Sequence, residues 1–570
     1  MPETSAGSAV ARTGGQLLVE TLKAHGADTV FCVPGESYLP VLDALHDARD
    51  EIALYVCRHE GGAANMAEAY GKLTGRPGIC MVTRGPGATH ASVGVHTAQQ
   101  DSTPLILLVG QVSRGMLERE AFQEMDFRRV FGSMAKWVAQ IDDPGRVPEL
   151  VGRAFQTAVA GRPGPVVLAL PEDMLRDRAS AAIVEPRRVG QAHPGAADLA
   201  ALRDLLAHAR RPLVLLGGSG WSVEACRDLR RFAVASDLPV ACAFRFQDLY
   251  DNRDERYAGD VGPGVNPRLA RRIGDADLLL VVGARLGEMT TSGYTLLSVP
   301  RPAQRLIHVH AGAEELGRVY QPDLAINSAM GPMAAALASL QPVDQPPWRE
   351  WTRGAHADHV AWTGRTVTPG PLQMWEVMDH LRRRLPEDAI VTNGAGNYSL
   401  WVHRFHRYPG FRTQLAPTSG AMGYGVPAAV AAKAVHRDRV VVSFSGDGCF
   451  LMYGQELATA VQYGLAVLFI VVNNGMYGTI RMHQERRYPS RVIGTQLHNP
   501  DFAAYARAFG AHGEVVEETA QFAPALERAL ASGRPALIEL RVDPEAITPS
   551  TTLGAIRERA TASTPPGEEA

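Results

Sequence analysis

The sequence predicts an α/β protein built from three doubly wound, parallel-sheet domains. Three observations predict it. Short β-branched runs alternate with helical segments along almost the whole chain, and the runs end in glycine-marked turns. Two polar, proline-bearing stretches, 176–197 and one starting near 341, divide the alternation into blocks. The blocks are 12–175, 198–340 and 368–545. The tail 546–570, rich in Thr, Pro and Glu, is expected to be disordered, as are the small, polar residues 1–11.

In the first block an amphipathic helix from Gly14 leads to a strand over 29–33 that closes in Pro34-Gly35-Glu36. A helix over 38–48 follows, then a strand over 52–57 ending in Arg58-His59-Glu60. The next segment, rich in Gly and Ala, is a helix stopped by Gly75. A strand over 78–83 runs into Arg84-Gly85-Pro86-Gly87, and a further helix leads to a strand over 104–110. Strands of the second block fall near 212–216, 239–243, 278–282 and 305–310. Those of the third fall near 389–392, 440–444, 465–472 and 535–541. The first and third blocks look like two versions of one sheet design.

A chain of 570 residues can bury several cores. Lys and Arg total 57 against 60 Asp and Glu, a net charge of −3, so nothing in the charge calls for nucleic acid or an anionic membrane as partner. Cys32, Cys57, Cys80, Cys226, Cys242 and Cys449 show no paired spacing, which favours buried thiols in a reducing cytosol over disulfides or zinc. The N-terminal residues have no apolar core of a secretory signal, and no run approaches the roughly eighteen apolar residues of a membrane span. The expectation is a soluble cytoplasmic protein.

The stretch 440–474 organises the rest. It reads as strand, helix and strand, with Gly446-Asp447-Gly448 closing the first strand and Asn473-Asn474 closing the second. Parallel strands end on one sheet edge, where α/β folds bind ligands. Taken alone, Gly-Asp-Gly is a turn and Asn-Asn a strand terminator. Placed side by side, a carboxylate and an amide oxygen among glycines suit a hard cation such as Mg²⁺ that also holds a phosphate. Glu60, taken alone, is a carboxylate favoured by a helix N-terminus, and Met422 a core filler. Leu216-Gly217-Gly218-Ser219-Gly220 is not a dinucleotide fingerprint and reads as structural.

The Gly446–Asn474 pattern resembles the cofactor fingerprint of the thiamin-diphosphate-dependent superfamily, in particular the acetolactate synthase large (catalytic) subunit. Other segments match in the same order: the RHEGGAANMAEAYGKLTG run around Glu60, Asn393-Gly394-Ala395-Gly396-Asn397, and the run Thr418 to Pro427. The likeness covers about 12–545. It implies a pyrimidine-binding first domain, a central domain and a diphosphate-binding third domain. It implies Glu60 as the carboxyl group that tautomerises the aminopyrimidine, and Met422 as the wedge between the cofactor rings. Asp447, Asn474 and the Met476 carbonyl become ligands of Mg²⁺. Pro34, Gly35, Pro86, Gly396, Asn397, Gly420, Gly446, Gly448, Tyr477 and Gly478 become cofactor contacts. Phe122, Gln123 and His483 fall on the substrate side. His59, His90 and His483 are the histidines nearest the implied site, with His90 and His483 the better proton-transfer candidates.

The reaction implied is decarboxylation of a 2-oxo acid and transfer of the resulting enamine to a second carbonyl. The alternative is a non-ligating decarboxylase or C–C lyase of the same superfamily. A flavin or nicotinamide oxidoreductase and a catalytically dead paralogue are weaker readings. In relatives the site lies between chains, implying a homodimer or homotetramer; a regulatory subunit is not indicated. Three positions depart from the relatives in the substrate path: Met289 replaces an arginine, Glu172 a lysine and His483 a tryptophan. The flavin-holding segment reads His308-Val309-His310-Ala311-Gly312, without its two acids, which weakens the case for FAD.

Overall fold

The computed structural model describes residues 10–563. Two compact units divide the chain, one running through Gln191 and the other from Ala192. The first holds one six-stranded parallel sheet and the second holds two, so the α/β class with three parallel sheets is observed. Among the described residues no helix is long and apolar enough to cross a membrane.

Across the first sheet the strands run Ala53–Val56, Thr29–Cys32, Gly78–Val82, Leu105–Gln111, Pro165–Pro171, Trp137–Gln140. In chain order that is 2-1-3-4-6-5. The last sheet runs Gln414–Leu415, Ile390–Asn393, Val441–Gly446, Leu468–Asn473, Ala536–Arg541, His512–Val516, the same order again. The central sheet differs. Its order, Tyr257–Asp260, Val240–Cys242, Pro212–Leu216, Leu278–Val282, Arg305–His310, Leu324–Asn327, is 3-2-1-4-5-6, an order shared with dinucleotide-binding sheets.

Burial follows only in part which strands the sequence reading found: the fully buried Pro165–Pro171 was missed and the partly exposed edge strand Ala53–Val56 was found. Every residue of Leu105–Gln111 and Pro165–Pro171 is buried, as expected for inner parallel strands covered on both faces. Edge strands such as Trp137–Gln140 and His512–Val516 are only partly buried and carry polar residues, so their apolar signal is weak.

Three expectations need correction. The tail was expected to be disordered over 546–570, yet Leu553–Ser563 is a helix. Ile547, Leu553 and Ile556 form a small core with Met482, and Arg557 binds Glu485 through both nitrogens at 2.9 and 2.8 Å. Residues 564–570 lie outside those described, as do 1–9 at the other end, where disorder was also expected. The linker after 341 contains the helix Arg349–Trp362. Trp348, fully buried, donates its indole N–H to the Ser236 carbonyl at 3.1 Å and ties that helix to the central core. Finally, the single helix expected within 440–474 is two, Asp447–Tyr453 and Leu457–Gln462, joined by a 3₁₀ turn over Gly454–Glu456. A Cβ on Gly454 would lie 2.7 Å from the Phe450 ring, so the break is packed tightly.

Candidate active site

In the last sheet Gly446 pairs with Val472, so the chain leaves both strands at one level of the carboxyl edge. Asp447 is the first residue of its helix and is 3% exposed. Its Oδ1 accepts from the Gly448 N–H at 2.9 Å and its Oδ2 from Asn499 Nδ2 at 2.7 Å. The same Asn499 amide donates to Asn473 Oδ1 at 3.0 Å, and the Gly475 N–H donates to that oxygen at 3.0 Å. Burial pushes the Asp447 carboxyl above its ordinary value, with these hydrogen bonds opposing. Among the described residues it forms no ion pair.

Beyond Asn474 the chain turns through Gly475, whose φ of 69° an L side chain rarely adopts. The turn is zipped to a distant loop: Tyr477 donates to the Thr495 carbonyl at 2.8 Å and Leu497 to the Gly475 carbonyl at 2.9 Å. Asn474 Oδ1 accepts from the Met476 N–H at 3.3 Å. Gly448 has no room for a side chain, since a Cβ there would lie 2.5 Å from the Tyr477 ring. On the opposite side Thr479 Oγ1 accepts from the Asn397 N–H at 3.0 Å and donates to Asn397 Oδ1 at 2.9 Å.

A cavity of about 240 Å³ opens over this edge. Its lining includes Gly396, Asn397, Gly420, Met422, Gly446, Asp447, Gly448, Asn474, Met476, Tyr477 and Gly478, which are all the sequence-predicted residues of the diphosphate side. The helices Asp447–Tyr453 and Gly478–Arg487 both start at it, and helix starts favour anions. A buried carboxylate lacking a protein cation, an amide oxygen and a free-facing glycine cradle fit a divalent cation bridging to a diphosphate. Met422 is half-buried against the sheet core.

Sequence reasoning missed two residues here. Asn499 orients the Asp447 carboxylate but precedes Pro500 in a loop that no periodicity links to residue 447. Arg245, on the central sheet's side, is buried and donates to the carbonyls of Pro417 and, at 2.9 Å, Gly394. It thereby holds the two loops that carry Gly396 and Gly420. Neither contact has a local signal.

The other predicted residues lie in the first unit. Glu60 begins the helix Glu60–Thr74, and His59 caps it by accepting the Gly61 N–H at Nδ1, 3.0 Å. Only 14% of the Glu60 side chain is exposed, and its Oε2 is 2.9 Å from His90 Nδ1. The helix that follows Arg84 brings Gly87 close: a Cβ there would be 3.5 Å from Glu60 Oε1. Pro34-Gly35 follows the neighbouring strand, and a Cβ on Gly35 would strike the Thr83 side chain at 2.6 Å. Pro86 lies in the first turn of the helix Gly85–Asp101. Glu60, Pro34-Gly35 and Pro86 therefore share the carboxyl edge of the first sheet.

The substrate-side residues are less assembled. Phe122 is 73% exposed. Gln123 has φ 65° and accepts the Gly85 N–H through its carbonyl at 3.0 Å. His483 is exposed on the helix Gly478–Arg487 and does not line the cavity. Burial, together with Arg486 and Arg487, lowers its pKa. Glu172 is not an unopposed negative charge: it binds Arg84 at 2.7 Å and also Arg176. Arg84, 10% exposed, approaches Glu36 at 3.6 Å as well. In the central sheet His308 donates from Nε2 to the Ala284 carbonyl at 2.9 Å, and burial pushes its pKa down to about 4. His310 Nδ1 accepts the Gly312 N–H at 3.0 Å. Both histidines make hydrogen bonds to backbone groups.

Comparison with known proteins gives a consistent picture. Three family descriptions match the chain: the N-terminal TPP binding domain of thiamine pyrophosphate enzymes over 12–130, their central domain over 199–337, and their C-terminal TPP binding domain over 394–540. The acetolactate synthase large subunit of Parasynechococcus marenigrum is 34% identical over 93% of this chain and 87% of its own length. The acetolactate synthase isozyme 2 large subunit of Escherichia coli is 32% identical over 93% and 95%. The acetolactate synthase large subunit of Corynebacterium glutamicum is 30% identical over 95% and 89%.

Proposed function

The chain belongs to the thiamine pyrophosphate enzymes, as an acetolactate-synthase-like member, and we propose that it decarboxylates a 2-oxo acid and passes the remaining fragment to a second carbonyl compound. The observation that carries the reading is the cavity over the last sheet, where a buried, cation-free carboxylate meets every residue the family pattern assigns to the diphosphate side.

In this reading Asp447, Asn474 Oδ1 and the Met476 carbonyl hold Mg²⁺. Gly396, Asn397, Gly420 and Gly448 let the backbone approach the diphosphate, and Met422 packs against the ring system. Thiamin diphosphate, when bound, supplies a sink for the electron pair freed as carbon dioxide leaves. Glu60, whose side chain is 14% exposed, would offer its carboxyl group to the pyrimidine ring as the acid–base partner there. Asp447 and Asn474 orient the diphosphate end and move no proton. By resemblance to the family, a homodimer or homotetramer with sites between chains is part of the proposal. Flavin is left out of the proposal because the segment His308 to Gly312 lacks the two acids of the family pattern.

Loss of the arginine and lysine expected in the substrate path favours a second reading, a non-ligating decarboxylase or C–C lyase, because carboxylate recognition relies on fixed cations. A panel of 2-oxo acids, assayed for carbon dioxide release with added thiamin diphosphate and Mg²⁺ and followed by product mass spectrometry, separates them. Ligated hydroxyketone products are expected. Aldehyde as the sole product would transfer the assignment to the second reading, and release from none would defeat both.

A further inference from the structure

Asn397 and Thr479 meet from two loops that the sheet does not join. Asn397 follows the strand Ile390–Asn393, and Thr479 follows the strand Leu468–Asn473. Each of these strands pairs with Val441–Gly446, and neither pairs with the other. The backbone ladder thus ties each loop to the strand that leads into Asp447 but not to its counterpart. Thr479 closes that span. Its Oγ1 accepts the Asn397 N–H at 3.0 Å and donates to Asn397 Oδ1 at 2.9 Å. One turn further along the same helix, Met482 Sδ accepts from Asn397 Nδ2 at 3.4 Å. These bonds also decide which way the amide faces. A hydroxyl carries a single hydrogen, and Thr479 spends it on Oδ1, which holds the amide oxygen on the threonine side. Nδ2 is left as the end that can serve another partner, because a thioether is a weak acceptor and takes one of its two hydrogens. Asn397 and Thr479 both line the cavity shared with Asp447, Asn474 and Met476.

We propose that Thr479 is a positioning residue for diphosphate binding. It fastens the Asn397 loop to the loop of Asn474 and Met476, and it turns the Asn397 amide so that nitrogen, not oxygen, is offered to the diphosphate. The inference rests on the reading of this cavity as the diphosphate site. A phosphate oxygen accepts a hydrogen from an amide nitrogen and is repelled by an amide oxygen. The orientation of one side chain therefore decides whether Asn397 helps the anion or opposes it. Thr479 acts through Asn397: its hydroxyl gives its hydrogen to Oδ1 and takes the Asn397 N–H.

The test titrates the cofactor-free full chain by calorimetry with inorganic pyrophosphate and Mg²⁺ and, in parallel, with thiamin diphosphate and Mg²⁺. Thr479→Val keeps the shape of the side chain and removes the hydroxyl. It should weaken both ligands by roughly tenfold to a hundredfold, the worth of two hydrogen bonds, while the thermal midpoint of the cofactor-free chain stays close to wild type. Thr479→Ser, which retains the hydroxyl, should recover most of the affinity. Asn397→Asp reads the orientation: it keeps an oxygen for Thr479 and puts a second oxygen where Nδ2 stands. Pyrophosphate binding should then fall at least as far as in Thr479→Val. In nitrogen NMR the side-chain amide signal that Asn397→Asp removes should shift when pyrophosphate and Mg²⁺ are added to the wild type. Wild-type affinity in Thr479→Val, an equal loss in Thr479→Ser, or pyrophosphate binding that survives in Asn397→Asp would overturn the proposal alone. So would a lowered midpoint in Thr479→Val with affinity intact, since that marks a purely structural tie. Should Thr479→Val fail to fold, Asn397→Asp and the amide signal decide. Failure of the wild type to bind thiamin diphosphate with Mg²⁺ would bring down the functional reading and the proposal with it.

Discussion

The first and last sheets share one strand order, 2-1-3-4-6-5, and spend it on opposite chemistry. In both, the informative residues leave the carboxyl edge after the first strands in the chain. After the third strand of the first sheet stands Arg84-Gly85-Pro86, and after the third strand of the last sheet Gly446-Asp447-Gly448. A cation paired with Glu172 occupies one position, and a buried carboxylate occupies the other. After the second strand the first sheet offers Glu60, a carboxylate beside His90, and the last offers Gly420 and Met422. The backbone design fixes where a ligand can meet the sheet; the side chains there decide what chemistry follows.

That contrast can be broken from either side. Glu60→Gln should lower turnover by roughly 10²–10⁴-fold, the range of a lost general acid–base group, while calorimetry finds thiamin diphosphate affinity nearly intact. Asp447→Ala should show the reverse split, with Mg²⁺ and cofactor binding lost. Equal loss of binding in both variants would erase the division of labour between the two edges. Asn499→Ala should weaken Mg²⁺ binding by roughly 10–100-fold, as when the hydrogen-bond partner of a metal ligand is removed. A titration of Mg²⁺-dependent cofactor binding reads it.

Smaller effects test how the last edge is held in place. Arg245→Ala leaves the buried Gly394 and Pro417 carbonyls without their guanidinium donor. Each carbonyl keeps a second donor, Asn393 Nδ2 at 2.8 Å and the Gly420 N–H at 3.1 Å, so a loss of about 0.5–1.5 kcal/mol per hydrogen bond, read as a lower thermal midpoint of the full chain, is expected, with lysine at 245 restoring only part of it. The smallest effect concerns the terminal helix. Hydrogen bonding from Arg557, foremost, holds the Glu485 carboxyl down to about 2 from its usual 4.5. A depressed carboxyl contributes stability that is fully present above its unfolded pKa and is lost as pH falls through the folded one. The wild-type helix should therefore stay docked until the pH nears 2. In Arg557→Ala undocking should move up towards pH 4.5, as followed by hydrogen exchange over 553–563.

How far the sequence could be read depended on whether a residue's signal was local. Asp447 and Asn474 were found together because strand and helix periods place them on one edge, and the register of Gly446 with Val472 bears out that placement. Most buried inner strands were legible from continuous apolar runs, although Pro165–Pro171 was missed, and of the edge strands of the first sheet Ala53–Val56 was found and Trp137–Gln140 was not. The terminal helix was missed because the tail's Thr-rich run 548–552 and the helix's polar residues hide three apolar residues, Ile547 before the helix and Leu553 and Ile556 within it, which become a core only against Met482.

By itself, then, the sequence determined the α/β class with its three parallel sheets and the family, because each is written in short-range pattern. Tertiary structure alone decided that Asn499 steadies Asp447, that Arg245 clamps two site loops, that Arg84 neutralises Glu172, and that His90 stands on Glu60. Those contacts join residues far apart in the chain. Their hydrogen bonds form only after packing has removed the competing water, and no spacing along a strand or helix announces them.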